Sequence, residues 1–107
     1  MYKIEHYETQ DGNDPIREWL GELRDKRARA TILRRLDRLA AGNFGDHDFC
    51  RDGVWELRID VGPGYRVYYA LGNRTIVCLL CGGDKRKQQA DITRAVGFWR
   101  DIQRGYQ

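Results

Sequence analysis

The 107-residue chain carries 19 Lys plus Arg against 16 Asp plus Glu, a formal net charge of +3, and is 41% hydrophobic and 33% charged with only 2 Pro. That composition fits one globular domain over 1–107 and excludes both a disordered chain and a pair of ordinary-sized domains. The longest apolar run, Ile76 to Cys81, is far short of the roughly 20 residues a membrane span needs.

The N-terminus, MYKIEHYETQDG, has no basic-then-apolar-then-small order, so no secretory signal is read there. Three Cys in such a chain point to a reducing cytoplasm and no disulfide framework. Fifteen of the 19 cations are Arg. A planar guanidinium fits phosphate and stacks on bases, so the bias leans toward a polyanionic partner; a general preference for Arg over Lys gives the same count.

In chain order, residues 2–8 read as a short strand and 9–13 as a turn. Asp14-Pro15 starts a helix, because Asp caps free N–H groups and Pro needs none at the first position. Ile16, Trp19, Leu20 and Leu23 form its apolar stripe, and a break is expected near Asp25. A second helix spans 26–41 with Ile32, Leu33, Leu36, Leu39 and Ala40 inward, and Gly42-Asn43 ends it. Residues 43–53 read as a loop.

The period then becomes two. In 54–61, Trp55, Leu57 and Ile59 share one face, and Glu56, Arg58 and Asp60 the other. Gly62-Pro63-Gly64 turns the chain into 65–71, and Gly72-Asn73 turns it again into the apolar strand 75–81. A Gly-rich basic loop, 82–87, leads to a last helix over 88–103. The expectation is an α+β fold in the order β-α-α-β-β-β-α. It has a small antiparallel meander with the helices on one face, which leaves the other face partly open.

On that face Arg58 and Arg66 sit on neighbouring strands. Like charges side by side destabilise a sheet unless an anion lies between them or carboxylates such as Glu56 and Asp60 pair with them. Lys85, Arg86 and Lys87 follow at a helix start, where glycines admit a phosphate; no P-loop pattern is present, so nucleotide triphosphate binding has no support. The second helix carries Lys26, Arg27, Arg29, Arg34, Arg35 and Arg38 against Asp37 alone, a stripe suited to nucleic acid or to an acidic partner. Cys78 and Cys81, three apart on a strand, are expected to face opposite ways and bind no metal. No nucleophilic triad or paired-carboxylate signature appears.

The series Gly53-Val54-Trp55-Glu56-Leu57-Arg58-Ile59, Gly64-Tyr65-Arg66-Val67-Tyr68-Tyr69, Leu79-Leu80-Cys81-Gly82-Gly83-Asp84-Lys85 and Asp91-Ile92 with Ala95 resembles the RelE/ParE toxin superfamily, nearest its HigB-like, phage-derived addiction module killer branch. The resemblance covers about residues 53–95. It implies a RelE-like fold and the toxin of a type II toxin–antitoxin pair, with a helix-turn-helix antitoxin as partner. Relatives of the RelE kind cut mRNA in the ribosomal decoding site without metal or cofactor, the RNA 2′-hydroxyl attacking the adjacent phosphate.

Carried over, Arg58, Arg66 and Lys85 would hold and polarise that phosphate, with Arg86 as a weaker candidate in the same loop; Lys87 of the basic loop and Arg34 and Arg38 of the basic helix are read from their charge as further RNA contacts. The sequence departs from the pattern where relatives place a Tyr or His for proton transfer: Gln88, Gln89 and Asp91 occupy the early positions of the last helix. His47, Asp91 and Tyr106 are the acid/base candidates. The same scaffold also supports a ParE-like inhibitor of DNA gyrase without nuclease activity, or a non-toxic module that binds only its antitoxin.

Overall fold

The structure is a computed structural model and describes residues 1–105. It consists of strand β1 (Lys3–His6), helices α1 (Pro15–Glu22) and α2 (Lys26–Ala40), and strands β2 (His47–Arg51), β3 (Val54–Ile59), β4 (Tyr65–Asn73) and β5 (Ile76–Asp84). A 3-10 turn over Lys85–Lys87 leads into helix α3 (Gln88–Gly105). The five strands form one sheet in the order β1-β5-β4-β3-β2. β1 runs parallel to β5, and the other neighbours are antiparallel.

The helix starts are set by aspartates. Asp14 accepts from the Arg17 amide at 3.0 Å, with Pro15 in the first turn. Asp25 accepts from the amides of Arg27 and Ala28 at 3.0 and 3.2 Å, so the expected break between the two helices is the cap of α2.

Several expectations are corrected, among them the turn at Gly72-Asn73, which lies within β4. The segment read as a loop contains β2, giving the order β-α-α-β-β-β-β-α. Its turn into β3 is Asp52-Gly53, both with positive φ (51° and 85°), the geometry of a two-residue hairpin turn. The helices also do not share one face. Ile16, Ala28, Ile32, Leu36 and Leu39 of α1 and α2 pack on Leu57, Ile59, Val67, Tyr69, Val77 and Leu79. Ile92, Ala95, Val96, Trp99 and Ile102 of α3 pack on the other face, against Val54, Tyr68, Ala70, Cys78 and Leu80. The reason is visible in β4 and β5, whose residues are buried in unbroken runs: strands apolar on both sides need cover on both sides.

The pairing of β4 with β5 shifts register between Tyr68 and Tyr69. That bulge puts Leu80 and Cys81 on the same side, so Cys78 and Cys81 both lie in the α3-side core rather than on opposite faces. Among the described residues no group of three or more His, Cys, Asp or Glu is gathered to hold a metal ion. No helix among them is long and apolar enough to cross a membrane.

β5 is squeezed near its end, where a methyl group on Gly82 would overlap the Trp19 ring of α1. Gly82→Ala is expected to cost about 1–3 kcal/mol through overpacking. In denaturant melts the double variant with Trp19→Ala should cost less than the sum of the two single changes, because the clash is shared.

Candidate phosphate-binding site

Arg58 and Arg66 are direct partners across β3 and β4, so their side chains leave the same face of the sheet. This is the α3 face. α3 covers its Val54 end, and its first residue, Gln88, reaches Glu56. Arg58 lies one pleat further out, so the pair sits at the margin of the helix start, where the basic turn enters.

Two arginines in register repel unless a counter-charge joins them, and Glu56 supplies it. Its carboxylate is nearly fully buried and accepts from Arg58 Nε at 2.8 Å and from Gln88 Nε2 at 2.9 Å. Arg66 Nε stands 3.9 Å from Oε1, the oxygen that also accepts from Gln88. The Arg58 guanidinium also donates to Asp48 at 2.8 Å and Asp46 at 3.3 Å, both on or beside β2. The Glu56 carboxylate first, then Asp48 and Asp46, hold Arg58 even more firmly protonated than usual. The segment bearing Asp46 is itself fixed by Arg35 of α2, which donates to the carbonyls of Arg58 (2.6 Å), Phe44 (3.1 Å) and Asp46 (3.2 Å).

The two arginines differ in access. The Arg58 side chain is 33% exposed and that of Arg66 only 9%. Arg66 donates to the Tyr65 carbonyl at 3.1 Å, while its Nε, like the Tyr68 hydroxyl beside Glu56, is buried without a hydrogen-bond partner among the described residues. Burial, and then the Glu56 charge, push the Tyr68 phenol well above its usual range. The site is thus one exposed guanidinium, one buried guanidinium and a shared carboxylate. Asp46 and Asp48 complete it on the outer nitrogens of Arg58, so the guanidinium fork is fixed in place by three carboxylates.

The family model for "Phage derived protein Gp49-like" matches residues 18–96. The chain belongs to that family. The matched span holds every residue of the site just described. An uncharacterized protein of Haemophilus influenzae is 53% identical over 77 residues, covering 72% of this chain and 78% of that protein.

The remaining candidates fall in several places. Lys85 is exposed, its amide bonded to the Gly64 carbonyl at 3.0 Å, so it stands beside the turn that joins Arg58 to Arg66. Arg86 is spent in part on Asp84, which accepts from its amide (2.9 Å) and its guanidinium (3.2 Å). Lys87 instead lines a cleft between α1 and α3. Arg34 and Arg38 are exposed on α2, across the sheet from Arg58, so they do not extend the site.

Of the described proton-transfer candidates, His47 is turned away from the arginine pair, and Asp91 lies over Gly83, the strand partner of Arg66. His47 pairs with Leu57 on the α2 side, its ring 5.8 Å from that of Trp55 and its Nδ1 2.8 Å from the Gly45 carbonyl; strand alternation turns it away from Arg58. Asp91 lies over Gly83 with an ion pair to Arg94 at 3.5 Å. Tyr106 lies outside the described residues. Asp46 and Asp48 have no place in the sequence reading, Gln88 enters it only as a helix-start residue, and Glu56 only as a salt-bridge partner. The Asp52-Gly53 turn and the alternation of His47 and Phe49 with Asp48 and Cys50 were the available signals for the β2 carboxylates.

Burial silences two thiols near the site. Burial, then the Glu56 charge, pushes Cys50 up to about 11, and burial pushes Cys81 up to about 12. At pH 8 both should alkylate with iodoacetamide at least about a hundredfold more slowly than free cysteine, whose pKa is about 8.5. Mass-spectrometric mapping of native protein checks this, and rapid labelling of Cys50 would contradict it.

Proposed function

We propose that this Gp49-like protein is the toxin of a type II toxin–antitoxin pair. In this reading it acts as a metal-independent, ribosome-dependent mRNA endonuclease that blocks translation. The observation that carries the reading is the in-register pair Arg58–Arg66 at the open margin of α3, tied to one buried carboxylate.

Glu56 binds Arg58 through Nε and so orients the fork. Asp46 and Asp48 occupy the outer nitrogens through exposed carboxylates, at 57% and 62% side-chain exposure. Exposed pairs contribute little and exchange readily, so a phosphate can replace the two aspartates while Glu56 keeps its hold. Arg66 then adds positive charge from beneath, and Lys85 from the turn. Charge that builds on the phosphate as the 2′-hydroxyl attacks is met by groups already in position, the arrangement that lowers such barriers most.

The expected partners are the ribosome with its mRNA, and a helix-turn-helix antitoxin. Lys26, Arg27, Arg34 and Arg38 stay exposed on α2, whereas Arg29 and Arg35 are bonded to backbone carbonyls, so the outer surface of that helix suits an acidic chain.

One observation favours a second reading. No described His lies beside Arg58 and Arg66, which suits a ParE-like gyrase inhibitor that cuts nothing. Cleavage of mRNA in a translation extract, run beside gyrase supercoiling, separates the two readings. Arg58→Gln should lower cleavage roughly 10²–10³-fold with the fold intact by circular dichroism, the usual effect of losing one preorganised donor. Asp46→Asn with Asp48→Asn should raise affinity for RNA, since both compete with phosphate. Undiminished cleavage in Arg58→Gln would remove the proposed site.

A further inference from the structure

Three aromatic side chains stand in one row across the β2 edge of the sheet. Phe49 pairs with Trp55 across β2 and β3, and Trp55 pairs with Tyr69 across β3 and β4. Strand partners point to the same face, and here it is the face of α1 and α2, where Tyr69 belongs to the core. α2 ends at Ala40, and the chain then turns through Gly42 and Gly45, both with positive φ (94° and 63°). Phe44, between them, meets the row with its ring centre 6.0 Å from that of Tyr69. No helix covers the rest of the row, although α3 covers Val54, Tyr68 and Ala70 on the opposite face.

The gap is a pocket of about 380 Å³, lined by the 42–45 segment with His47, Trp55, Tyr69 and Leu71. A cavity of about 150 Å³ already holds a benzene ring, so there is room for one bulky side chain. Its apolar surface reaches solvent: Leu71 is 38% exposed and Phe49, beside Trp55, 49%. His47, which has no part in the phosphate site, is built into the wall between Phe44 and Trp55. Its Nδ1 lies 2.8 Å from the Gly45 carbonyl, which only accepts, so Nδ1 carries the hydrogen and Nε2 is left without a bond among the described residues.

Exposed apolar side chains gathered beside polar ones mark an interaction surface, and the charge around them selects the partner. The Arg38 carbonyl accepts from the Asn43 amide at 2.8 Å, which joins the pocket's rim to the last turn of α2. Arg34 lies one turn back; both arginines are exposed, and Asp37 is the one acid of that helix. Asp46 and Asp48 are engaged with Arg58 on the opposite face. The pocket's own lining holds no Lys or Arg, and a phosphate strand at Arg58 would lie across the sheet from it, so a nucleobase is not the occupant favoured. An apolar socket whose rim leads to guanidinium groups fits a protein segment that carries a bulky apolar residue among acids.

We propose that this pocket receives one bulky apolar side chain from an acidic segment of a partner protein, with the segment's carboxylates set against Arg34 and Arg38. It rests on the reading of α2 as the surface for an acidic chain, and adds the anchor that fixes where such a chain sits. An anchor seated in a pocket carries most of the binding energy of an interface, while exposed charges speed the encounter and select the partner.

The test is a titration of the ¹⁵N-labelled full chain, following the Trp55 indole and Gly45 amide signals. The probes are acetyl-Glu-Glu-Phe-Glu-Glu-amide, the same peptide with Ala in place of Phe, the same peptide with Lys in place of every Glu, and adenosine monophosphate. Saturable shifts at both positions are expected with the first peptide. The Ala and Lys peptides should each bind at least about tenfold more weakly.

Leu71→Asp sets a charge in the pocket wall at an exposed position and should weaken the acidic peptide about tenfold or more, with native circular dichroism. Arg34→Glu with Arg38→Glu should weaken it to a similar degree from the rim, and serves where Leu71→Asp does not fold. Absence of saturable shifts with the acidic peptide, equal binding of the Ala or Lys peptide, or unchanged affinity in either folded variant would overturn the proposal. Tighter binding of adenosine monophosphate at the same signals would give the pocket to a nucleobase. A concentration-dependent dimer abolished by Phe49→Ser would give it to a second copy of the chain; either result also overturns the proposal. Binding is read without RNA or ribosome, so its failure leaves the endonuclease reading standing, and absence of cleavage leaves the pocket standing.

Discussion

The constraint on which the structure turns is the placement of two guanidinium groups opposite each other on adjacent strands. Left alone, Arg58 and Arg66 would push β3 and β4 apart. Glu56, one pleat away on the same face, resolves this by reaching both. Because that carboxylate is almost fully buried, it also needs donors, and it takes one from Gln88 at the first position of α3. A single side chain thereby ties β3, β4 and the start of α3 together. Its loss would leave Arg66 as a buried unpaired charge, a situation that typically costs about 3–5 kcal/mol. The site and the docking of α3 share this one anchor, so the position of the helix start follows from the charge balance as much as from the apolar stripe below it.

The rest of the architecture follows from how the sheet is covered. β4 and β5 are apolar on both sides and require two layers of helix, which α1 with α2 and α3 provide. β1 is only four residues long, so β5 outruns it. The exposed length of edge is closed by side chains instead of a strand: Trp19 from one layer and Asp91 from the other. Gly82 and Gly83 allow this, since any Cβ there would displace one or the other. The cleft is the residue of that closure, a place where two layers meet without a strand between them.

Much of this could be read from local signals. Asp14-Pro15, the stripe through α1, the break at Asp25 and the meander from Val54 onward each rest on a residue whose physical preference is strong. What escaped reading depends on contacts between distant segments. β2 is short, polar and at an edge, and nothing in HDFCR demands burial, although Asp52-Gly53 announced the turn that follows it. Missing β2 hid Asp46 and Asp48, and with them the ionic setting of Arg58. The face chosen by α3 was not legible from its own stripe, which fits either side of a sheet; the double-sided burial of β4 and β5 decides it. The bulge at Leu80 was invisible for the same reason, and it reverses the parity on which the separation of Cys78 from Cys81 depended. The adjacency of Arg58 and Arg66, by contrast, follows from a short turn alone and needed no long-range information.

The distribution of charge around the start of α3 has a physical logic of its own. A helix N-terminus favours acids and disfavours cations. Lys85, Arg86 and Lys87 are therefore placed against the dipole, and Asp84 offsets part of that cost by capping the turn and pairing with Arg86. Asp91, in the first turn of α3, sits where the dipole helps a carboxylate, so this is among the least costly places to bury one. The result is a helix start with opposite characters on its two flanks. Toward β3 and β4 it meets the arginines tied to Glu56, and toward the end of β5 it meets Asp91, paired with Arg94, and acids from α1. One backbone turn, fixed by the Lys85 amide on Gly64, holds both flanks in register.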